Sequence, residues 1–231
     1  MIAAATGLTL PIGSAHGTRQ MKHLALLGDS VFDNGAYVGR EPDVVTQLRQ
    51  RLPAGWRATL VAVDGGVIRD IPRQLERVPD DTTHLVISVG GNDALGFSAV
   101  LGAPSRSVAD TLEQLAAIRG EFARNYGQML ETVRHRGLPT AVCTIYDPRY
   151  PDPAQRRVSA TALCVINDAI IREAAVAGVP IIDLRLVCNE DNDFANPIEP
   201  SPHGGWKIAS AIFSLVTRHD FARARSEIFT S

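Results

Sequence analysis

The stretch Lys22-His23-Leu24-Ala25-Leu26-Leu27-Gly28-Asp29-Ser30 decides the fold. Its apolar run, Leu24 to Leu27, is too short for a typical helix and does not alternate with polar residues, so it suits a strand buried on both faces. Gly28 permits a sharp turn at the end of that strand, and Ser30 then stands where a loop or helix begins. A strand covered on both sides needs helices above and below it, which predicts a parallel sheet inside an α/β chain.

The same pattern recurs outward from this stretch. Short runs rich in Val, Ile and Leu predict strands at 23–27, 58–63, 84–89, 140–145 and 180–183, with helical periodicity between them at 43–50, 71–77, 107–136, 158–177 and 205 to about 221. The expected architecture is a three-layer α/β/α sandwich on a mostly five-stranded parallel sheet. No internal repeat, low-complexity tract or linker divides it. The chain has 231 residues, 45% of them hydrophobic, enough for one sizeable core. One domain over residues 22–231 is therefore expected, with residues 1–21 a disordered tail or an upstream start.

The formal charge of -2 is dispersed and gives no footprint for nucleic acid or a strongly anionic membrane. No apolar run approaches the ~18 to 20 residues that span a bilayer. The first twenty residues lack a basic region ahead of their apolar patch, so they make a poor signal peptide, and a cytoplasmic location is the default expectation. Cys143, Cys164 and Cys188 are odd in number and without metal-like spacing; they read as reduced core residues. Neither a metal nor an organic cofactor is expected. His16, His23, His84, His135 and His219 have no ligand spacing and read as structural.

In parallel sheets, loops leaving the carboxyl ends of the strands build the ligand site. Three such loops carry chemistry. The first offers the Ser30 hydroxyl after Gly28-Asp29. The second, Val63-Asp64-Gly65-Gly66, offers glycine N–H groups. The third, Val89-Gly90-Gly91-Asn92-Asp93, offers the Asn92 amide. Each alone is an ordinary turn or cap. Together, a hydroxyl, a side-chain amide and a glycine N–H at one sheet edge are what acyl transfer requires: a nucleophile and preorganised donors for the oxyanion. No phosphate-binding G-x-x-x-x-G-K-[ST] or G-x-G-x-x-G occurs at a strand-to-helix turn.

The order and spacing of these blocks resemble the SGNH hydrolases, also called the GDSL esterase/lipase family, over His23 to about Ala211. The resemblance implies a flavodoxin-like layout, a nucleophile at Ser30, and an oxyanion hole of the Ser30 and Gly65 N–H groups with the Asn92 side chain. It also implies an Asp-x-x-His near the carboxyl end. Here the pattern departs: aligned on Pro200, Ser201 and Gly204, Glu199 stands where the family has histidine and Asn196 where it has aspartate.

Two bases are then open. His203 follows a Ser201-Pro202 helix cap, and the helix N-terminus would keep its ring neutral, with Glu199, Asp191 or Asp193 to orient it. Alternatively Glu199 itself takes the proton, which requires burial to raise its pKa from about 4.3. The Tyr146–Tyr150 loop follows the fourth strand at the same edge and is a candidate wall of the pocket; Arg185 reads as a structural partner for a carboxylate. The resulting expectation is a serine esterase or lipase-type hydrolase acting on a small-molecule ester of a small acyl group. The alternative is a degenerate binding protein that has lost the dyad.

Overall fold

The computed structural model describes residues 21–231, so the expected N-terminal tail lies outside the described residues except for Met21. The chain runs β1 (Lys22–Gly28), α1 (Val44–Arg51), β2 (Trp56–Leu60), α2 (Ile71–Leu75), β3 (His84–Ser88), α3 (Gly91–Gly96) and α4 (Val108–Arg134). It continues with β4 (Thr140–Cys143), α5 (Pro153–Ala177), β5 (Ile181–Ile182), α6 (Leu184–Val187), α7 (Pro202–Arg218) and β6 (Ile228–Phe229). The strands form one parallel sheet in the order β2-β1-β3-β4-β5-β6. The order reverses at β1, between β2 and β3, where a switch point opens a crevice for a ligand.

β1 shows why both faces are covered. Leu24 and Leu26 pack with Val44 and Leu48 of α1 and Ile208 and Ile212 of α7. Ala25 and Leu27, pointing the other way, pack with Leu75 of α2, Phe122 and Leu130 of α4, and Ile170 of α5. The three-layer sandwich follows from that alternation within a continuous apolar run.

Several elements differ from the sequence reading, and three of the differences have a visible cause. The sheet has six strands, because Ile228–Phe229 adds a short edge to β5. β2 ends at Leu60 instead of reaching residue 63, since the N–H groups of Val61 and Ala62 both donate to the Leu26 carbonyl at 2.8 Å and take the chain off the ladder. α5 starts at Pro153, ahead of residue 158, because Asp152 accepts from Ala154 N and Gln155 N as its N-cap. Cys143 and Cys188 are buried, whereas Cys164 lies exposed on α5 and is no core residue. Among the described residues no helix is long and apolar enough to cross a membrane.

Candidate active site

The turn after β1 is held from several sides. Gly28 has φ 126°, and a Cβ there would lie 1.7 Å from the Ser88 carbonyl oxygen, so no other residue fits. The buried Gln74 amide of α2 clamps the same residue: Gly28 N–H donates to Oε1 at 2.7 Å, and Nε2 donates to the Gly28 carbonyl at 2.8 Å. Asp29 N–H donates to the Ser88 carbonyl at 3.0 Å, and Asp29 Oδ1 accepts from Val31 N–H at 3.1 Å. Ser30 therefore sits on a turn whose backbone has little freedom.

Glu199 approaches from the segment before α7. Asn196 Oδ1 accepts from both Ile198 N–H and Glu199 N–H at 3.0 Å, forming a tight Asx-type turn. Tyr146 Oη donates to the Ile198 carbonyl at 2.6 Å, and Asn34 Nδ2 donates to the Pro200 carbonyl at 3.2 Å. Within this frame Ser30 Oγ donates to Glu199 Oε1 at 3.1 Å. Glu199 Oε2 is buried with no partner among the described residues. Burial, chiefly, pushes the Glu199 carboxyl up to about 7; the Ser30 hydrogen bond opposes this and the Asp64 charge adds to it. Burial likewise pushes Asp29 up to about 8, against the Val31 hydrogen bond and with help from the Glu199 charge. At neutral pH Asp29 is then neutral and adds no negative charge beside Ser30.

Of the expected oxyanion donors, Asn92 is placed in the same cavity as this pair. Asn92, in α3, lines the same cavity and donates one Nδ2 proton to the Gly66 carbonyl at 2.9 Å, which orients the amide and leaves the second proton. Gly65 turns with φ 77°, and neither its N–H nor that of Ser30 finds a partner among the described residues. Asp93 fixes the loop behind them by accepting from Ile68 N–H at 3.1 Å.

His203 is placed elsewhere. Ser201 caps α7 by accepting from Gly204 N–H, with Pro202 at the first helical position, as the sequence suggests. That start carries His203 toward Asp193 and Glu190, with Nε2 at 3.6 and 3.8 Å from their carboxylates. Lys207 Nζ, 2.9 and 3.0 Å from the same two groups, completes an ion-pair cluster. The His203 side chain is 48% exposed and borders a separate surface hollow with Glu41 and Trp206. The structure thus brings Ser30, Asn92 and Glu199 together and leaves His203 outside. Asp191, weighed with Asp193 as its orienting carboxylate, instead bonds Arg156 at 2.9 Å.

Sequence reasoning missed the residues that hold the site. Gln74 and Asn34 are buried amides, and Asn167 of α5 repeats the device just past β4 by exchanging 2.8 Å hydrogen bonds with the Ile145 N–H and carbonyl. For Gln74 and Asn167 a polar residue on a helix is the only trace in the sequence, while Asn34 lies in the loop between β1 and α1. Arg185 pairs with Asp183 at 2.6 Å, as a structural partner.

The chain is an α/β protein whose parallel sandwich carries a hydroxyl, a carboxyl and an amide at its switch-point edge. The sequence matches the GDSL-like lipase/acylhydrolase family over residues 26–205, and the chain belongs to that family. No characterised protein gives a significant sequence match. Among solved structures it is similar to an extracellular lipase from Streptomyces rimosus, with TM-score 0.63 and 17% identity over 85% of this chain and 98% of that one. It is also similar to an aryl esterase from M. smegmatis, with TM-score 0.61 and 13% identity over 85% and 98%. A carbohydrate acetylesterase, Est24 from Sinorhizobium meliloti, matches with TM-score 0.59 and 14% identity over the same shares. At these identities the likeness establishes the fold.

Proposed function

We propose that the protein hydrolyses a carboxylic ester through an acyl-enzyme on Ser30, with Glu199 in place of histidine as the proton acceptor. The observation that carries this reading is the 3.1 Å hydrogen bond from Ser30 Oγ to Glu199 Oε1. A base must first reach its proton, and Glu199 does. A carboxylate at the ordinary value is a feeble base toward a hydroxyl; burial brings Glu199 to about 7, so that near neutral pH about half of it is ionised and the ionised form is more basic.

In this reading Oγ attacks the ester carbonyl carbon while its proton passes to Glu199. The negative charge on the carbonyl oxygen is held by the Ser30 and Gly65 N–H groups and the free Asn92 amide proton. Collapse of the tetrahedral adduct breaks the bond to the alcohol oxygen, which takes the proton back from Glu199. Water then repeats the sequence against the acyl-serine: Glu199 accepts its proton and returns it to Oγ as the carboxylic acid leaves. Atoms and protons balance without a metal or organic cofactor.

The test is turnover of p-nitrophenyl acetate, butyrate and octanoate by wild type beside Ser30→Ala, Glu199→Gln and His203→Ala. Loss in the first two variants and retention in the third is expected. Turnover insensitive to Ser30→Ala would sink the mechanism. A wild type that binds esters without cleaving any would instead favour a degenerate binding protein, the reading that Asn196 and Glu199 at the family's acid and base positions otherwise permit.

A further inference from the structure

The cavity that opens from Ser30 has a one-sided chemistry. It encloses about 140 Å³ between the edge of the sheet, the segment from α3 through the 3-10 turn Ser98–Gly102, and the helices α4 and α5. At the reacting end stand Asp29, Ser30, Asn92 and Glu199. Away from that end the wall is apolar: Leu95 and Phe97 on one side, Leu115 and Ile118 on α4, and Ala162 and Ile166 on α5. No Lys, Arg or His lines it, so nothing there would answer an anionic head group, and its distal hydroxyls are few for a sugar ring. Leu95 and Leu101 at its rim are large apolar side chains left exposed. A polyol placed there would lose water without gaining partners, whereas an alkyl chain would lose only unfavourable hydration.

We propose that this cavity holds the acyl chain of the ester, and that it selects chains of about six to ten carbons, since a closed cavity of about 150 Å³ takes a benzene-sized group and this one is open at its rim. The assignment rests on the reading of Ser30 as the nucleophile, because it identifies the chain with the acyl side of the bond. It departs from the small acyl group that the sequence alone suggests. Ala162 is the position where added volume would reach into the chain's path.

The experiment compares kcat/KM for p-nitrophenyl acetate, butyrate, hexanoate and octanoate, each below its aggregation concentration, in wild type and Ala162→Phe. Full burial of a methylene is worth up to about fourfold, so a rise of about 10- to 100-fold from acetate to octanoate is expected for a chain only partly enclosed. Ala162→Phe should lower the octanoate-to-acetate ratio by about tenfold or more, as overpacking of an apolar site excludes the longer ligand. A wild type that prefers acetate, or a ratio untouched by Ala162→Phe, overturns the assignment. Should Ala162→Phe fail to fold, calorimetric titration of Ser30→Ala with methyl octanoate and with xylose tetraacetate decides: tighter binding of the octanoate supports the proposal, and preference for the sugar ester overturns it. Octanoate binding by a protein that cleaves no ester would remove the catalytic reading while leaving the apolar ligand site standing.

Discussion

At the scale of single residues, the chemistry turns on which side chain meets Ser30. Glu199→Gln keeps the shape and removes the base, so kcat/KM should fall by about 10²- to 10⁴-fold, the usual worth of a positioned general base. The pH profile separates this role from mere packing. Glu199 acts ionised, so wild-type kcat/KM should climb with pH and level off above about 7. A profile that levels off near 4.5 would mean that the buried carboxyl is not the titrating group. That Ser30, Gly65 and Asn92 stand just past the ends of β1, β2 and β3 was legible in the sequence, because each follows an apolar run that reads as a strand. The choice between Glu199 and His203 was not legible. It depends on where the chain turns into α7: Asn196 folds Glu199 inward through two backbone hydrogen bonds, and the Ser201 cap then directs His203 toward Asp193. Four residues of sequence separation cannot convey that reversal.

At the scale of elements, rigidity at the proposed nucleophile comes from α2, a helix that does not line the cavity. Gln74 on α2 closes two hydrogen bonds on Gly28, both buried. Gln74→Leu would leave the buried Gly28 N–H without a partner and its carbonyl with only the Val63 N–H, at a cost of about 1–3 kcal/mol for the orphaned donor. The expected outcome is a lowered Tm together with a drop in kcat at nearly unchanged KM, because the turn carrying Ser30 loosens while the apolar cavity stays intact. A variant with lower Tm but full kcat per folded molecule would limit Gln74 to stability. Similarly, Ser201→Ala removes the α7 cap and should cost about 1 kcal/mol of unfolding free energy in denaturant titration. The four central strands could be read from their apolar runs because burial on both faces leaves a continuous pattern. β6 could not: its residues Ile228 and Phe229 are partly exposed, and it is a strand only because β5 offers an unpaired edge. Nor could α3 be read, whose Gly91–Gly96 stretch has no buried residue and little helical preference.

At the scale of the whole molecule, the price of a buried acid pair is a stability that declines toward alkaline pH. Burial raises Glu199 to about 7 and Asp29 to about 8, so in the folded state both hold protons that the unfolded chain releases near 4. Burial acts on the imidazoles in the opposite direction: it lowers His84 to about 4 and lowers His23 as well, so the folded chain lacks protons that the unfolded chain binds below about 6.5. Stability rises with pH wherever the unfolded state holds more protons, and falls where the folded state does. Between about 4.5 and 6.5 the two sets oppose each other and the dependence should be shallow. Above 6.5 the imidazoles become neutral in both states, while Glu199 and Asp29 hold protons only in the folded one and give them up as the pH passes about 7 and about 8. Unfolding free energy should therefore fall by on the order of 2 kcal/mol between pH 6.5 and 8. The carboxylates held low by arginine, Asp168 and Asp183, are ionised in both states throughout this window and do not contribute to the slope. Urea titrations of wild type and Asp29→Asn/Glu199→Gln at half-unit pH steps test this directly, with the double variant expected to be flat from 6.5 to 8. An equal slope in both proteins would place the titration elsewhere, and would leave the Ser30 pocket without the strained acid that its proposed chemistry uses.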